Sequence, residues 1–262
     1  MKWPLKFITK KQFTKHVQLT IQEYGENLES YDLEKFNRNL IDPIKLIFDK
    51  SVYGCTWEEI IKNEIFRQRD KSNNNAIGYF HQKIFQYMDG CIVPDEGWDV
   101  IVSRDGGIAL PAGDKVKTVY VEMKNKHNTM NSASAGKTYI KMQGQLLNDD
   151  DCACFLVEAI AKNSQNIKWE VTVDKKKQGH KRIRRVSMDE FYKFVTGQED
   201  AFYQMCMVLP GIIDEVVNDS SLSQVPNDTV SEELQALAKQ KNGSFVLALY
   251  MLGFGSYIGF DK

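Results

Sequence analysis

The run Val119-Tyr120-Val121-Glu122-Met123-Lys124-Asn125-Lys126 constrains this chain more than any other segment, because β-branched and aromatic residues alternate there with polar ones. A strand's period of two sends Tyr120, Glu122, Lys124 and Lys126 to one face and Val119, Val121 and Met123 to the other. A carboxylate and an ammonium are thereby neighbours on one strand face. A second apolar run, Val100-Ile101-Val102, follows directly on Asp99. If these two strands pair, Asp99 joins Glu122 and Lys124. Two carboxylates offer the hard oxygen ligands that Mg²⁺ takes, and an ammonium can position a water or stabilise developing negative charge. Such a cluster is equipped for phosphodiester hydrolysis.

A carboxylate followed two residues later by lysine is a cheap pattern in a lysine-rich chain, and context has to separate its occurrences. The competing match, Asp174-Lys175-Lys176, lies in a highly charged stretch with no apolar strand around it. Glu122 and Lys124 can also be read as an ordinary same-face ion pair on a solvated sheet. For the first carboxylate, Asp95 competes with Asp99. Asp95 sits in a turn-like Pro-Asp-Glu-Gly stretch, whereas Asp99 leads straight into an apolar strand, which favours Asp99.

At 262 residues the chain can bury a full core, and one domain is expected, with a helical region over about 1–90, a sheet core over about 91–186 and a helical part over about 187–262. The formal net charge of −1 announces no nucleic acid, so a DNA-binding field has to come from local clustering of the 34 Lys and Arg residues. Five cysteines with no C-x-x-C spacing and four histidines without a ligand-like repeat argue against zinc and against a disulfide framework. The start, Met1-Lys2-Trp3-Pro4, carries no apolar leader, and no stretch approaches the ~18 consecutive apolar residues of a membrane span. A reducing cytoplasm is the expected location.

Before residue 90 the periodicity is helical. Phe13, His16, Val17 and Thr20 mark one helix, Leu33, Phe36 and Leu40 another, and Pro43 a new start before Ile44, Ile47 and Phe48. A short helix is expected over Trp57 to Phe66, a loop or cap at Asn73-Asn74-Asn75, and a further helix with Ile77, Phe80, Ile84, Phe85 and Met88 on its apolar face. Asn75, His81 and Gln82 on that segment could support the acidic site from behind, although interhelix hydrogen bonds are the commoner fate of such groups. In the middle, Arg104-Asp105-Gly106-Gly107 reads as a hairpin turn and Ile108-Ala109-Leu110 as a short return. Asn128 to Ser134 resembles a capping run before a helix over about 135–147, on which Lys137, Tyr139 and Lys141 are expected to be exposed. Cys154 to Ile160 then reads as a buried strand. Strand, crossover helix and strand imply parallel pairing, hence a mixed α/β sheet.

The most basic stretch runs from Lys175 to Arg185 and is flanked by Trp169 to Val173 and by Val186. It reads as a hairpin with a cationic tip and second strand, which can follow phosphates or enter a major groove. A solvated hairpin tip is the plainer alternative. From Ser187 onward the pattern is helical, with an interruption expected at Pro210-Gly211. The apolar tail Phe245 to Leu252 is too short to span a membrane and suits core or dimer contact.

Taken together, the chain resembles type II restriction endonucleases of the PD-(D/E)xK superfamily and, more narrowly, the family that cleaves GGNCC. The resemblance rests on Gly97-Trp98-Asp99, on Val121 through Ser132, on Lys137-Thr138-Tyr139 with Lys141-Met142-Gln143, and on Lys181 through Val186. It extends from about residue 70 to 217. One departure is that Pro94-Asp95 does not directly precede the strand. The resemblance implies a restriction-endonuclease-like mixed central sheet flanked by helices, with a helical N-terminal region. It also implies a homodimer on palindromic double-stranded DNA, Mg²⁺ dependence, and a cognate DNA methyltransferase as functional partner. In that frame Asp99 and Glu122, helped by the Met123 backbone carbonyl, are the expected metal ligands, and Lys124 handles the attacking water. Expected DNA contacts are Lys126, His127, Asn128, Lys137, Tyr139, Lys141, Lys181, Arg182, Arg184 and Arg185. Two other functions compete: a structure-specific repair or junction nuclease of the same fold, and a DNA-binding protein without catalysis.

Overall fold

The computed structural model describes residues 3–27, 30–111, 113–173, 175–218, 227–240 and 244–254, so Asp174 of the competing acidic pattern lies outside the described residues. Six strands make one sheet: β1 (Cys91–Ile92), β2 (Val100–Ala109), β3 (Lys115–Lys126), β4 (Cys152–Ile160), β5 (Asn166–Val173) and β6 (Lys176–Ser187), in the order β1-β2-β3-β4-β6-β5. β1, β2 and β3 pair antiparallel, β3 with β4 and β4 with β6 pair parallel, and β5 closes on β6 antiparallel. The fold is thus mixed α/β, as expected. Nine α-helices are described: α1 (Lys10–Asn27), α2 (Leu33–Asn37), α3 (Pro43–Tyr53), α4 (Trp57–Lys83), α5 (Ser132–Asn148), α6 (Met188–Thr196), α7 (Ala201–Asn218), α8 (Val230–Gln240) and α9 (Phe245–Phe254).

The chain divides into two compact units that are not consecutive in sequence. The first takes Met1–Thr20 and Ile77–Asp219, the second Ile21–Ala76 and Ser220–Lys262. The first contains the whole sheet. The parallel step from β3 to β4 requires a crossover, and α5 provides it, opened by the Asn131 side chain, which accepts from the Ser134 N–H at 2.9 Å. Tyr139 and Met142 of α5 pack with Cys154, Leu156, Trp169, Val171 and Ile183 on one sheet face. On the other face the α6 aromatics cover the sheet, with the Phe155 and Phe194 rings 5.1 Å apart, and the Phe85 and Phe191 rings tilted against each other at 4.7 Å. The second unit has its own core of Phe36, Leu46, Ile60, Ile61, Ile65, Val230, Leu234 and Leu249, so α9 of the apolar tail contributes to a core. Among the described residues no helix is long and apolar enough to cross a membrane.

Three local expectations are corrected. The segment Arg104 to Gly107 does not reverse the chain. β2 runs through it as a bulge, with Ser103 opposite Thr118 and Ile108 opposite Val116, which lets extra residues stay within one strand. The reversal comes later, where the Leu110 N–H donates to the Asp114 carbonyl at 2.8 Å. Asn73-Asn74-Asn75 forms neither loop nor cap, because α4 continues through it. That helix is started far upstream by a reciprocal Thr56–Glu59 cap at 2.8 and 3.2 Å, and the Asn74 amide is satisfied within the helix by the Asp70 carbonyl at 2.9 Å. Nor does Pro210 interrupt α7, which is anchored on both sides of it by buried Met205, Ile212 and Val216. Packing on that face offsets the lost backbone donor.

Candidate active site

The site is assembled just before β2 begins, where β3 runs on past its partner strand. Val100 pairs with Val121, and the Asp99 N–H, one residue before β2, donates to the Val121 carbonyl at 3.0 Å. Asp99 is therefore beside Glu122, and its Oδ2 accepts the Met123 N–H at 2.6 Å. From α4, the Gln82 side-chain amide donates to both the Asp99 carbonyl and Oδ1 at 3.2 Å. Two groups thus fix the carboxylate. In an antiparallel ladder the N–H and C=O of one residue face the same neighbour, and alternate residues repeat that direction. Val121 faces β2, so Met123 does too. Its carbonyl therefore faces the same edge of β3, just before β2 begins, on the side where Asp99 lies.

Glu122 is pinned from two sides. Lys124 Nζ donates to its Oε1 at 2.8 Å, along the strand face that the alternation predicts. Lys141 Nζ, reaching from α5, donates to its Oε2 at 2.8 Å. The same ammonium donates to the Gly97 carbonyl at 2.5 Å and lies 4.1 Å from the Trp98 ring centroid. Burial works against the charge of Glu122, but the hydrogen bonds from Lys124 and Lys141 outweigh it and hold its carboxyl below the ordinary value. Asp99 moves the other way. Burial raises its pKa, the Met123 hydrogen bond opposes this, and the neighbouring Glu122 charge adds to the rise. The two carboxyls are thereby separated in acidity by their surroundings. Asp95, by contrast, is exposed in the stretch before Gly97.

The other predicted residues separate by burial. Lys126, His127, Asn128 and Lys137 are exposed. Tyr139 is not: its ring is fully buried and packs against Trp169 at 5.5 Å, which corrects the expectation of an exposed DNA contact. The position faces the sheet because α5 lies on β4 and β5 through Tyr139 and Met142. Arg184 is likewise withdrawn. Only 5% of it is exposed, and its guanidinium donates to the Asn166 side chain and carbonyl, so it holds β5 to β6 instead of facing solvent. Lys181 pairs with Asp114 at 2.7 Å, and Arg182 donates to the Asp150 and Cys152 carbonyls. Arg185 donates through Nε to Glu158 at 3.0 Å and through a terminal nitrogen to the His127 carbonyl at 3.1 Å. Of the three supporting polar residues, Gln82 touches Asp99. His81 is half-buried, with Nδ1 lacking a hydrogen-bond partner among the described residues, and Asn75 is exposed on the portion of α4 that belongs to the second unit.

Two participants escaped the sequence reading. Glu158 is completely buried and lies on β4 opposite Lys124, where it receives Arg185. A lone acid in the apolar run Cys152 to Ile160 was the available signal, since carboxylates are almost never fully buried unless paired. The other was the contact of the Gly97 carbonyl with Lys141: the residue stands in the quoted Gly97-Trp98-Asp99 run, but nothing in the sequence marked its carbonyl.

Comparison with known proteins gives the family. A family model described as Eco47II restriction endonuclease matches residues 5–218. The chain is 29% identical over 266 residues to the type II restriction enzyme Sau96I of Staphylococcus aureus, covering 98% of each chain. It is 28% identical over 197 residues to the type II restriction enzyme Eco47II of Escherichia coli, covering 70% of this chain and 76% of that one.

Proposed function

The chain belongs to the Eco47II restriction endonuclease family and is a type II restriction endonuclease, and we propose that it cuts double-stranded DNA at GGNCC with Asp99, Glu122 and Lys124 as its catalytic residues. The observation that carries this assignment is the meeting of those three side chains where β2 begins beside β3. Two carboxylates and a backbone carbonyl form a hard, all-oxygen donor set, which suits Mg²⁺ and leaves positions for water. Asp99, Glu122 and the Met123 carbonyl would hold the ion, which when bound neutralises charge at the scissile phosphate and acidifies a water.

The protein's own groups do the rest. Gln82 and the Met123 N–H keep the Asp99 carboxylate from rotating away. Lys124, with its stem on the strand and its ammonium at Glu122, orients the attacking water and stabilises the hydroxide formed as that water loses its proton to solvent. In-line displacement leaves a 5′-phosphate and a 3′-hydroxyl. Exposed Lys126, His127, Asn128 and Lys137 contact the DNA, and Lys181, Arg182 and Arg185 add positive charge along β6. A homodimer serves a palindromic site because two equivalent strands then meet two equivalent subunits. A cognate methyltransferase in the same cytoplasm protects the host's own sites.

The test is digestion of unmethylated DNA rich in candidate sites, with and without Mg²⁺, followed by sequencing of the fragment ends. Mg²⁺-dependent ends that all fall at GGNCC are expected. Discrete ends at another sequence would discard the target alone. Ends without a common sequence would favour a repair or junction nuclease, and tight binding without cleavage would remove the catalytic assignment.

A further inference from the structure

Glu122 has two carboxylate oxygens, and a lysine ammonium lies on each. Lys124 shares its strand, but Lys141 comes from a different element and is held by a cage of three unlike groups. These are Glu122 Oε2 at 2.8 Å, the Gly97 carbonyl at 2.5 Å and the face of Trp98 at 4.1 Å. Carboxylate, carbonyl and aromatic face all favour a cation. The tripeptide Gly97-Trp98-Asp99 therefore supplies two walls of this cage together with one carboxylate of the active site. Lys141 is also one helical turn from exposed Lys137, on the face of α5 that presents cationic side chains to solvent. With its side chain 40% exposed, Lys141 can leave the cage without unpacking the core.

We infer that Lys141 is a resident counter-ion that competes with the divalent ion for Glu122, and that a DNA phosphate draws its ammonium away. This deepens the proposed function and rests on its metal-site assignment. Two consequences follow from electrostatics and linkage. Without DNA, an ion must displace Lys141 from Glu122 and bears the cost of that displacement. With DNA, the ammonium gains a phosphate partner, so Glu122 is released. Metal and DNA thus strengthen each other's binding by the same factor. Lys141 acts as a positioning residue that ties the arming of the site to the presence of substrate.

The test uses the full chain and Mg²⁺ alone, followed by isothermal titration calorimetry, so that its first readout does not depend on cleavage. Lys141→Met, which keeps the apolar stem on Trp98, is expected to bind Mg²⁺ about threefold to tenfold more tightly than the unaltered protein, and Lys141→Arg to stay near it. A GGNCC duplex with a non-hydrolysable linkage should raise Mg²⁺ affinity in the unaltered protein and raise it distinctly less in Lys141→Met. Mg²⁺ should also change Trp98 emission only where Lys141 is present, with Trp98→Phe defining that signal. Equal or weaker Mg²⁺ binding by Lys141→Met would overturn the inference while leaving the metal site intact. Glu122→Gln separates the two levels. If Mg²⁺ binds it as well as the unaltered protein, or if no form binds Mg²⁺ with or without duplex, the metal-site assignment fails and the inference falls with it.

Discussion

At the scale of single residues, similar basic side chains face opposite fates, and burial decides between them. Arg184 has its guanidinium satisfied by Asn166, so Arg184→Ala is expected to cost about 2–3 kcal/mol of stability by stranding those acceptors. Lys137 is exposed, and Lys137→Ala should leave stability unchanged while weakening DNA binding and flattening its salt dependence by about one phosphate contact. Urea unfolding and salt titrations of binding check the pair. Weakened DNA binding by a fully stable Arg184→Ala protein would reverse the roles assigned here. Alternation along one strand placed Glu122 beside Lys124, and the ion pair between them is as that spacing required. The sequence could not distinguish Arg184 from Arg185, because which face of β6 is covered depends on β4, β5 and the helices around it.

At the scale of elements, α5 links chemistry to packing. Its inner residues Tyr139 and Met142 fix the helix on the sheet, and Lys141 then reaches Glu122 from the adjoining position. Tyr139→Ala should therefore destabilise the fold by about 3–5 kcal/mol, whereas Tyr139→Phe, which keeps the buried ring, should cost far less. Thermal unfolding of both variants measures this, and equal stability would contradict the buried placement. The strands and the crossover were legible because alternation and long apolar runs are strong local signals. Breaks were less so. The turn residues at Arg104 to Gly107 signal a bulge as readily as a reversal, the three asparagines can sit inside a long helix, and Pro210 is overridden by burial on either side. In each case a tertiary partner outweighed a local preference. The proximity of Asp99, Glu122 and Lys124 was legible for a related reason: Asp99 leads directly into β2, which pairs with the strand carrying the other two, and there register follows from pattern. Gly97 and Glu158 enter through the cage and the neighbouring strand, and no spacing in the chain announces those contacts.

At the scale of the whole molecule, buried His16 links folding to pH. Burial lowers its pKa to about 4, opposed by a hydrogen bond to the Phe80 carbonyl at 2.9 Å and reinforced by the charges of Lys83 and His81. The unfolded imidazole, near its ordinary value of 6.5, takes up a proton first as pH falls. Stability is fully present above that value and is lost between there and pH 4, by roughly 2 kcal/mol at pH 5. His16→Gln should flatten the difference between urea unfolding at pH 7 and pH 5 by that amount, and an unchanged difference would contradict it. Function at this scale depends on whether the three side chains at the strand ends cut DNA. The most direct measurement is single-turnover cleavage of a GGNCC duplex with Mg²⁺ by the unaltered protein, Glu122→Gln and Lys124→Ala, with duplex affinity measured alongside. Each substitution is expected to slow cleavage by roughly 10²–10⁴-fold while the protein stays folded and binds the duplex. Cleavage at the unaltered rate by either variant would contradict that expectation.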